Sequence, residues 1–211
     1  MKKIVVLISN KGEGTNLQAI IDGIKQKKIN AEIIAVISEM SDAPGLVYAE
    51  KNNLPTEICP TKEDLMPILQ KYHVDYVCLG GWKQFIADNV MKAFKNKILN
   101  VHPGLIPDTI DGVVKNPDGT NALWNKGKFM QKAMQNFLDS NATYAGSSIH
   151  FLTNEFDFGP VLGRCFEKIN PSDTIDSLYG RLKKKENELY VEVLEKLCND
   201  NMSSRARRGI S

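Results

Sequence analysis

The chain has 211 residues, 42% of them hydrophobic and 25% charged, with a formal net charge of +2 at pH 7. That length can bury the core of one compact α/β domain, the near balance of charge gives no general case for a nucleic-acid partner, and no apolar run is long enough to span a bilayer. Four scattered cysteines, Cys59, Cys78, Cys165 and Cys198, contain no Cys-x-x-Cys pair, so no metal site is expected, and the lack of a signal peptide points to a reducing cytoplasm.

Lys3 to Ser9 reads as a buried strand. Asn10-Lys11-Gly12-Glu13-Gly14-Thr15-Asn16 follows, and a helical pattern runs from Asn16 to Gln26. A glycine loop between a strand and a helix start brings backbone N–H groups and the positive end of the helix dipole to one place, which suits a phosphate. Two other readings stand beside it. One is a plain tight turn. The other is a dinucleotide fingerprint with Glu39 as the ribose acid, although Leu17 stands where its third glycine belongs.

Further strands are predicted at Ala31 to Ser38, Thr56 to Cys59, Tyr76 to Gly80 and Ile98 to Val101, with helices at Gly45 to Asn52, Lys62 to Lys71 and Ala87 to Phe94 between them. This alternation predicts a three-layer α/β fold, a mainly parallel sheet with helices on both faces. Asn100 and His102 are two apart at the end of an apolar run, so on a strand they share a side, and Pro103 closes the strand at the tip where such sheets bind ligands.

Beyond Pro107 the chain becomes irregular. Asn116-Pro117-Asp118-Gly119 is a turn signal, and a helix is predicted from about Ala122 to Leu138, carrying Leu123, Trp124, Met130, Met134, Phe137 and Leu138. Core packing is favoured for Trp124 over a direct ligand role. Strands at Ser147 to Leu152 and Val161 to Lys168 flank a loop holding Asp157, and a final helix runs from Thr174 to Leu197. Lys183-Lys184-Lys185 reads as its solvated face, and the basic segment 201–211 is expected to be disordered. His73 reads as a cap or surface residue, and His150 as a neighbour of the site that either supports it or only packs.

An amide, an imidazole and a carboxylate are the groups needed to move an acyl unit onto an amine. Asn100-Val101-His102-Pro103-Gly104-Leu105-Ile106-Pro107, Gly14-Thr15-Asn16-Leu17-Gln18-Ala19-Ile20, Gly146-Ser147-Ser148-Ile149-His150-Phe151 and Asp157-Phe158-Gly159-Pro160-Val161 occur together in the order in which the phosphoribosylglycinamide formyltransferases of purine synthesis carry them. The chain resembles that family over about residues 1 to 107 and 145 to 197.

The resemblance implies a formyltransferase-type Rossmann-like fold in a single domain of residues 1–200. It implies Asn100, His102 and Asp157 as catalytic groups and Gly14, Thr15 and Asn16 at the substrate phosphate. Glu186 would bind the ribose hydroxyls, and the segment Trp82, Lys83, Gln84, Phe85 and Ile86 would receive the pteridine of 10-formyltetrahydrofolate through its backbone. The substrates implied are glycinamide ribonucleotide and the folate. A homodimer is compatible with the resemblance, and the sequence does not decide it.

Two departures stand out. Lys83 and Gln84 replace an apolar residue followed by arginine, and the segment 109–144 is about twenty residues longer than the resemblance leads one to expect, as a lid, a pocket wall or an oligomer contact would be. Formyltransferases acting on methionyl-tRNA or nucleotide-linked sugars continue into a second domain, and formyltetrahydrofolate hydrolases carry a domain before the first strand. The extent of this sequence favours the purine enzyme over both. A formyltransferase for another phosphorylated amine, a hydrolase and a non-catalytic phosphometabolite or folate binder remain as alternatives.

Overall fold

The structure, a computed structural model, describes residues 1–206, with side chains described through Asn199. Strands β1 (Lys2–Ile8), β2 (Ala31–Ser38), β3 (Thr56–Ile58), β4 (Tyr76–Gly80), β5 (Ile98–His102), β6 (Tyr144–Phe151) and β7 (Val161–Lys168) form one sheet in the order β3-β2-β1-β4-β5-β6-β7. All pairings from β3 to β5 are parallel, while β5 with β6 and β6 with β7 are antiparallel.

The alternation within β1 explains the layers. Ile4, Val6 and Ile8 point to one face and pack with α1 (Thr15–Lys25) and α6 (Ile175–Ala206). Val5 and Leu7 point to the other and pack with α3 (Leu65–Gln70) and α4 (Asp88–Ala93). Burial on both faces is why these strands read as continuous apolar runs. Helix α2 (Leu46–Lys51) follows β2. In α6 the residues Leu178, Leu182, Glu186, Tyr190 and Leu194, four apart, are all fully buried, so one carboxylate lies in an otherwise apolar stripe.

Two expectations need correction. The helix foreseen from about Ala122 is α5 (Met130–Asp139), eight residues shorter at its start. Asn125 (φ 58°) and Gly127 (φ 76°) adopt left-handed backbone conformations that end any helix begun at Ala122. Helix α5 itself is core. Met134 and Phe137 are fully buried against Leu105, Ala145, Leu178 and Leu182, and each contributes on the order of 1.5–3 kcal/mol, more than a ten-residue helix could gain alone. At the carboxyl end, α6 runs through Ala206, six residues into the segment expected to be disordered; residues 207–211, including Arg207 and Arg208, lie outside the described residues.

Candidate active site

The strand order reverses direction at β1 and β4, and the crevice at the carboxyl ends of such strands is where open α/β sheets bind ligands. The loops after β1, β4 and β5 all open there. After β5, the chain is held in place by Ser148 on β6: its hydroxyl donates to the Gly104 carbonyl (2.7 Å) and accepts from the Ile106 N–H (2.9 Å). Arg164 on β7 adds two bonds to the Ile106 carbonyl, at 2.9 and 2.6 Å.

Asn100 pairs across the sheet with His150, and His102 with Ser148. His150 is fully buried, and its Nδ1 lies 3.1 Å from the Phe151 carbonyl. That contact requires a hydrogen on Nδ1, so Nε2 is the acceptor for the Asn100 amide at 3.3 Å. The bond fixes the orientation of Asn100: one amide hydrogen goes to His150 and the other remains for a ligand. Burial first, and then the neighbouring His102, push the His150 pKa down to about 4.

The sign of the linked stability follows. Unfolded, the ring titrates near 6.5; folded, it resists protonation until about 4. Its contribution is neutral above pH 6.5 and becomes a penalty as pH falls toward 4, reaching about 3 kcal/mol there. An NMR titration of the histidine rings checks this, with His150 expected to stay neutral to about pH 4; a midpoint near 6.5 would remove the penalty.

His102 is 2% exposed. Its Nδ1 lies 3.5 Å from Asp157 Oδ1, and its Nε2 lies 2.7 Å from the backbone carbonyl of Trp124. Asp157 sits in the loop after β6 with φ 49° and accepts from the Gly127 N–H through Oδ2 at 2.7 Å. Burial raises the carboxyl pKa, but the His102 hydrogen bond, the His102 charge and the Gly127 N–H outweigh it, so the pKa is lowered and Asp157 is ionised at neutral pH. The structure thus brings together Asn100, His102 and Asp157, with His150 as the link the sequence left undecided.

The glycine loop is built as a helix entry. Gly14 caps α1 at φ 74°, and a Cβ there would meet the Gly45 Cα at 2.7 Å. The Asn16 side chain is turned inward. It is 3% exposed, donates to Asn187 Oδ1 (3.0 Å) and accepts from Lys183 Nζ (2.8 Å). Lys183 is therefore no solvated-face residue. It also meets Glu186 Oε2 at 3.1 Å, while Ser147 donates to Glu186 Oε1. Glu186 is fully buried, so any ribose hydroxyl must displace a neighbour to reach it.

The segment after β4 divides its roles. Gly81 (φ 90°) bridges to Ile8, Trp82 is packed in the core, and Gln84 turns its amide to the Cys59 and Pro60 carbonyls (3.2 and 3.0 Å). Lys83 and Phe85 are exposed and Ile86 is half-buried. Phe85 lies 6.3 Å, ring to ring, from Phe156 of the Asp157 loop, so two aromatic faces rim the crevice. Among the described residues no group of three His, Cys, Asp or Glu side chains could hold a metal ion, and no helix is long and apolar enough to cross a membrane.

An amide donor, an imidazole paired with a carboxylate and a helix-entry loop at one sheet edge define an acyl-transfer enzyme of the doubly wound α/β class. The formyl transferase family model matches residues 2–194. Phosphoribosylglycinamide formyltransferase of Haemophilus influenzae is 31% identical over 92% of this chain and 86% of its own, and the chloroplastic phosphoribosylglycinamide formyltransferase of Arabidopsis thaliana is 30% identical over 97% and 68%. The crystal structure of glycinamide ribonucleotide transformylase 1 from Symbiobacterium toebii superposes with a TM-score of 0.80 at 30% identity, covering 95% of this chain and 89% of that one. The chain belongs to the formyl transferase family, and within it to the phosphoribosylglycinamide formyltransferases, enzymes of purine synthesis that use a formyl-tetrahydrofolate.

Proposed function

We propose that the protein transfers the formyl group of 10-formyltetrahydrofolate to the amine of glycinamide ribonucleotide, with Asn100, His102 and Asp157 as its catalytic groups. The observation that carries the assignment of roles is the convergence of these three side chains at the tip of β5, with Asp157 3.5 Å from His102.

The amine lone pair attacks the formyl carbon, and the carbonyl electrons move onto oxygen. The free amide hydrogen of Asn100 and the positive His102 stabilise that oxyanion. Asp157 takes a proton from the attached amine, directly or through water. The adduct then collapses by breaking the bond to the folate N10, which receives a proton as tetrahydrofolate leaves. The amine is itself the nucleophile, so no acyl-enzyme forms.

Gly14 and Thr15 fit the substrate phosphate through backbone N–H groups at the start of α1. Asn16 contributes its N–H there, while its side chain anchors the loop to α6. Exposed Phe85 and Phe156, with the backbone of the segment Lys83 to Ile86, suit the flat ring system of the folate. The unpaired cysteines support a reducing compartment such as the cytoplasm.

The test mixes the protein with both substrates and follows the folate absorbance. Amine-dependent conversion is expected, falling about 100- to 1,000-fold in the His102→Ala variant. Conversion without the amine would identify a hydrolase, and saturable binding without conversion would identify a binding protein.

A further inference from the structure

Residues 123–127, in the segment that joins β5 to α5, lie against the loop that carries Asp157. We infer that the Trp124 indole and the Gly127 N–H are positioning groups for Asp157, and that this segment sets where the carboxylate stands relative to the tip of β5. The inference rests on the proposed formyl transfer and adds two residues to its machinery.

The need for such groups comes from the loop itself. It leaves β6 after Phe151 and enters β7 at Val161. Its internal bonds are made by residues on either side of Asp157. Thr153 Oγ1 donates to the Phe158 carbonyl (2.7 Å) and accepts from the Glu155 N–H (3.2 Å), and the Phe158 N–H donates to the Glu155 carbonyl (3.2 Å). Asp157 itself stands at φ 49°, a conformation that an L residue keeps only where its surroundings hold it there.

The segment supplies that hold from outside the loop, at both polar ends of the residue. The Asp157 carbonyl accepts from Trp124 Nε1 at 3.0 Å, and Oδ2 accepts from the Gly127 N–H at 2.7 Å. Asn125 (φ 58°) and Gly127 (φ 76°) are left-handed, and the Lys128 N–H closes a turn onto the Asn125 carbonyl (3.0 Å), so two donors three residues apart reach one residue. The Trp124 ring lies 5.8 Å from the Phe158 ring, and Lys126, over that indole, pairs with Glu155 at 3.1 Å.

The other side of the segment is fastened to the strand tip. The Leu105 N–H donates to the Leu123 carbonyl (2.9 Å) and Asn125 Nδ2 to the Pro103 carbonyl (3.0 Å). Asn125, 5% exposed, accepts from Asn136 of α5 (2.7 Å), a helix anchored in the core. Close approach is possible because Gly104 lacks a side chain: a Cβ there would stand 1.8 Å from the Trp124 oxygen.

Residues 123 and 125 therefore bond to the loop after His102, and residues 124 and 127 bond to Asp157. One piece of chain spans the two halves of the site and fixes their separation, which is what proton transfer to a placed carboxylate requires. Packing alone does not account for the indole. A half-buried ring needs no bond to the backbone of the catalytic loop.

Trp124→Phe keeps a ring against Phe158 and removes the N–H. The test is kinetics and thermal unfolding of the wild type, Trp124→Phe, Asp157→Asn and the double variant. Trp124→Phe is expected to lower kcat about three- to ten-fold, the scale of one lost hydrogen bond, with both KM values kept and the thermal midpoint within a few degrees. In the Asp157→Asn background the same change is expected to cost less than about two-fold, because no carboxylate is left to place. Equal fold losses in both backgrounds would overturn the inference, since Trp124 would then act on something other than Asp157. Unchanged kcat, or a loss confined to KM, would overturn it as well. A second readout needs only the wild type. The Trp124 indole N–H, assigned in NMR spectra by its contacts with the Phe158 ring, is expected to exchange with solvent at least about ten-fold more slowly than a free indole. Exchange at the free rate would overturn the inference whatever the variants do. Failure of the underlying reading is told apart, because the wild type would then give no formyl transfer, or Asp157→Asn would turn over within about three-fold of it.

Discussion

An enzyme with Asn in place of Asp157 is expected to turn over about 100 to 10,000 times more slowly, the usual range for losing a positioned acid–base group. The change is nearly isosteric, so the loop conformation at φ 49° survives, because asparagine tolerates that region as aspartate does. Its side-chain oxygen can still accept the Gly127 N–H. The charge is what is lost. Without it His102 has no counter-ion at 3.5 Å, and no carboxylate remains to take the proton from the attacking amine. Both effects fall on the transition state, so kcat should drop while KM for each substrate stays within a few-fold. Steady-state kinetics with both substrates varied provide the check. Turnover within three-fold of wild type would remove Asp157 from the mechanism, and a loss appearing only in KM would recast it as a binding residue. Stability carries a second signature. The lowered pKa of Asp157 means that the folded state gains from its ionisation at pH values above the unfolded carboxyl pKa and loses that gain as pH falls through the folded value. The variant should lack this part of the acid dependence.

The parts of the site that could be read from the sequence are those in which a side chain's chemistry coincides with a simple local pattern. Asn100 and His102 lie two apart before a proline, and the sheet places them side by side as strand geometry requires. The buried strands were legible because both faces of β1 are covered, which leaves an unbroken apolar run. Asp157 was legible only through the family pattern, since nothing local marks one loop carboxylate among many. The contact of the Trp124 carbonyl with His102 Nε2 was not legible, because a backbone oxygen leaves no mark in side-chain chemistry. The sequence around it favoured a helix, though Asn125 and Gly127, the residue types most tolerant of positive φ, held the signal that the helix starts later. Lys183 was misjudged for a related reason. In a run of three lysines the composition says solvent, and only the helical phase relative to Glu186 and the loop after β1 separates the one that is drawn inward from Lys184 and Lys185, which are exposed.

Glu186→Ala is expected to destabilise the fold by about 3 kcal/mol, the lower end of the cost of stranding one partner of a buried ion pair, and to lower the thermal midpoint by on the order of 10 °C in a domain of this size. The carboxylate is fully buried in the apolar stripe of α6 and offers one oxygen to Ser147 and the other to Lys183. Burial works against the charge of Lys183, but Glu186 and Tyr179 outweigh it and hold the ammonium pKa above its ordinary value. Removing Glu186 leaves that cation at a site whose side chain is only 20% exposed, and the partial exposure is why the lower figure applies: the ammonium can move part of the way to water. The same step frees Lys183, the second of the two α6 side chains that hold Asn16, so the loop at the start of α1 keeps its Asn187 bond but is held less firmly, and the KM for the substrate proposed to bind there should rise with it. A second substitution separates the two effects. Lys183→Met in the Glu186→Ala background removes the stranded charge and should recover most of the thermal midpoint, but it cannot restore the Lys183 bond to Asn16, so KM stays high. Thermal unfolding and substrate kinetics on the single and double variants read this directly. A Glu186→Ala protein that melts with the wild type would show that the pair contributes nothing net to the fold, and a double variant that regains both midpoint and KM would show that the Asn187 bond alone is enough to hold Asn16 and the loop after β1.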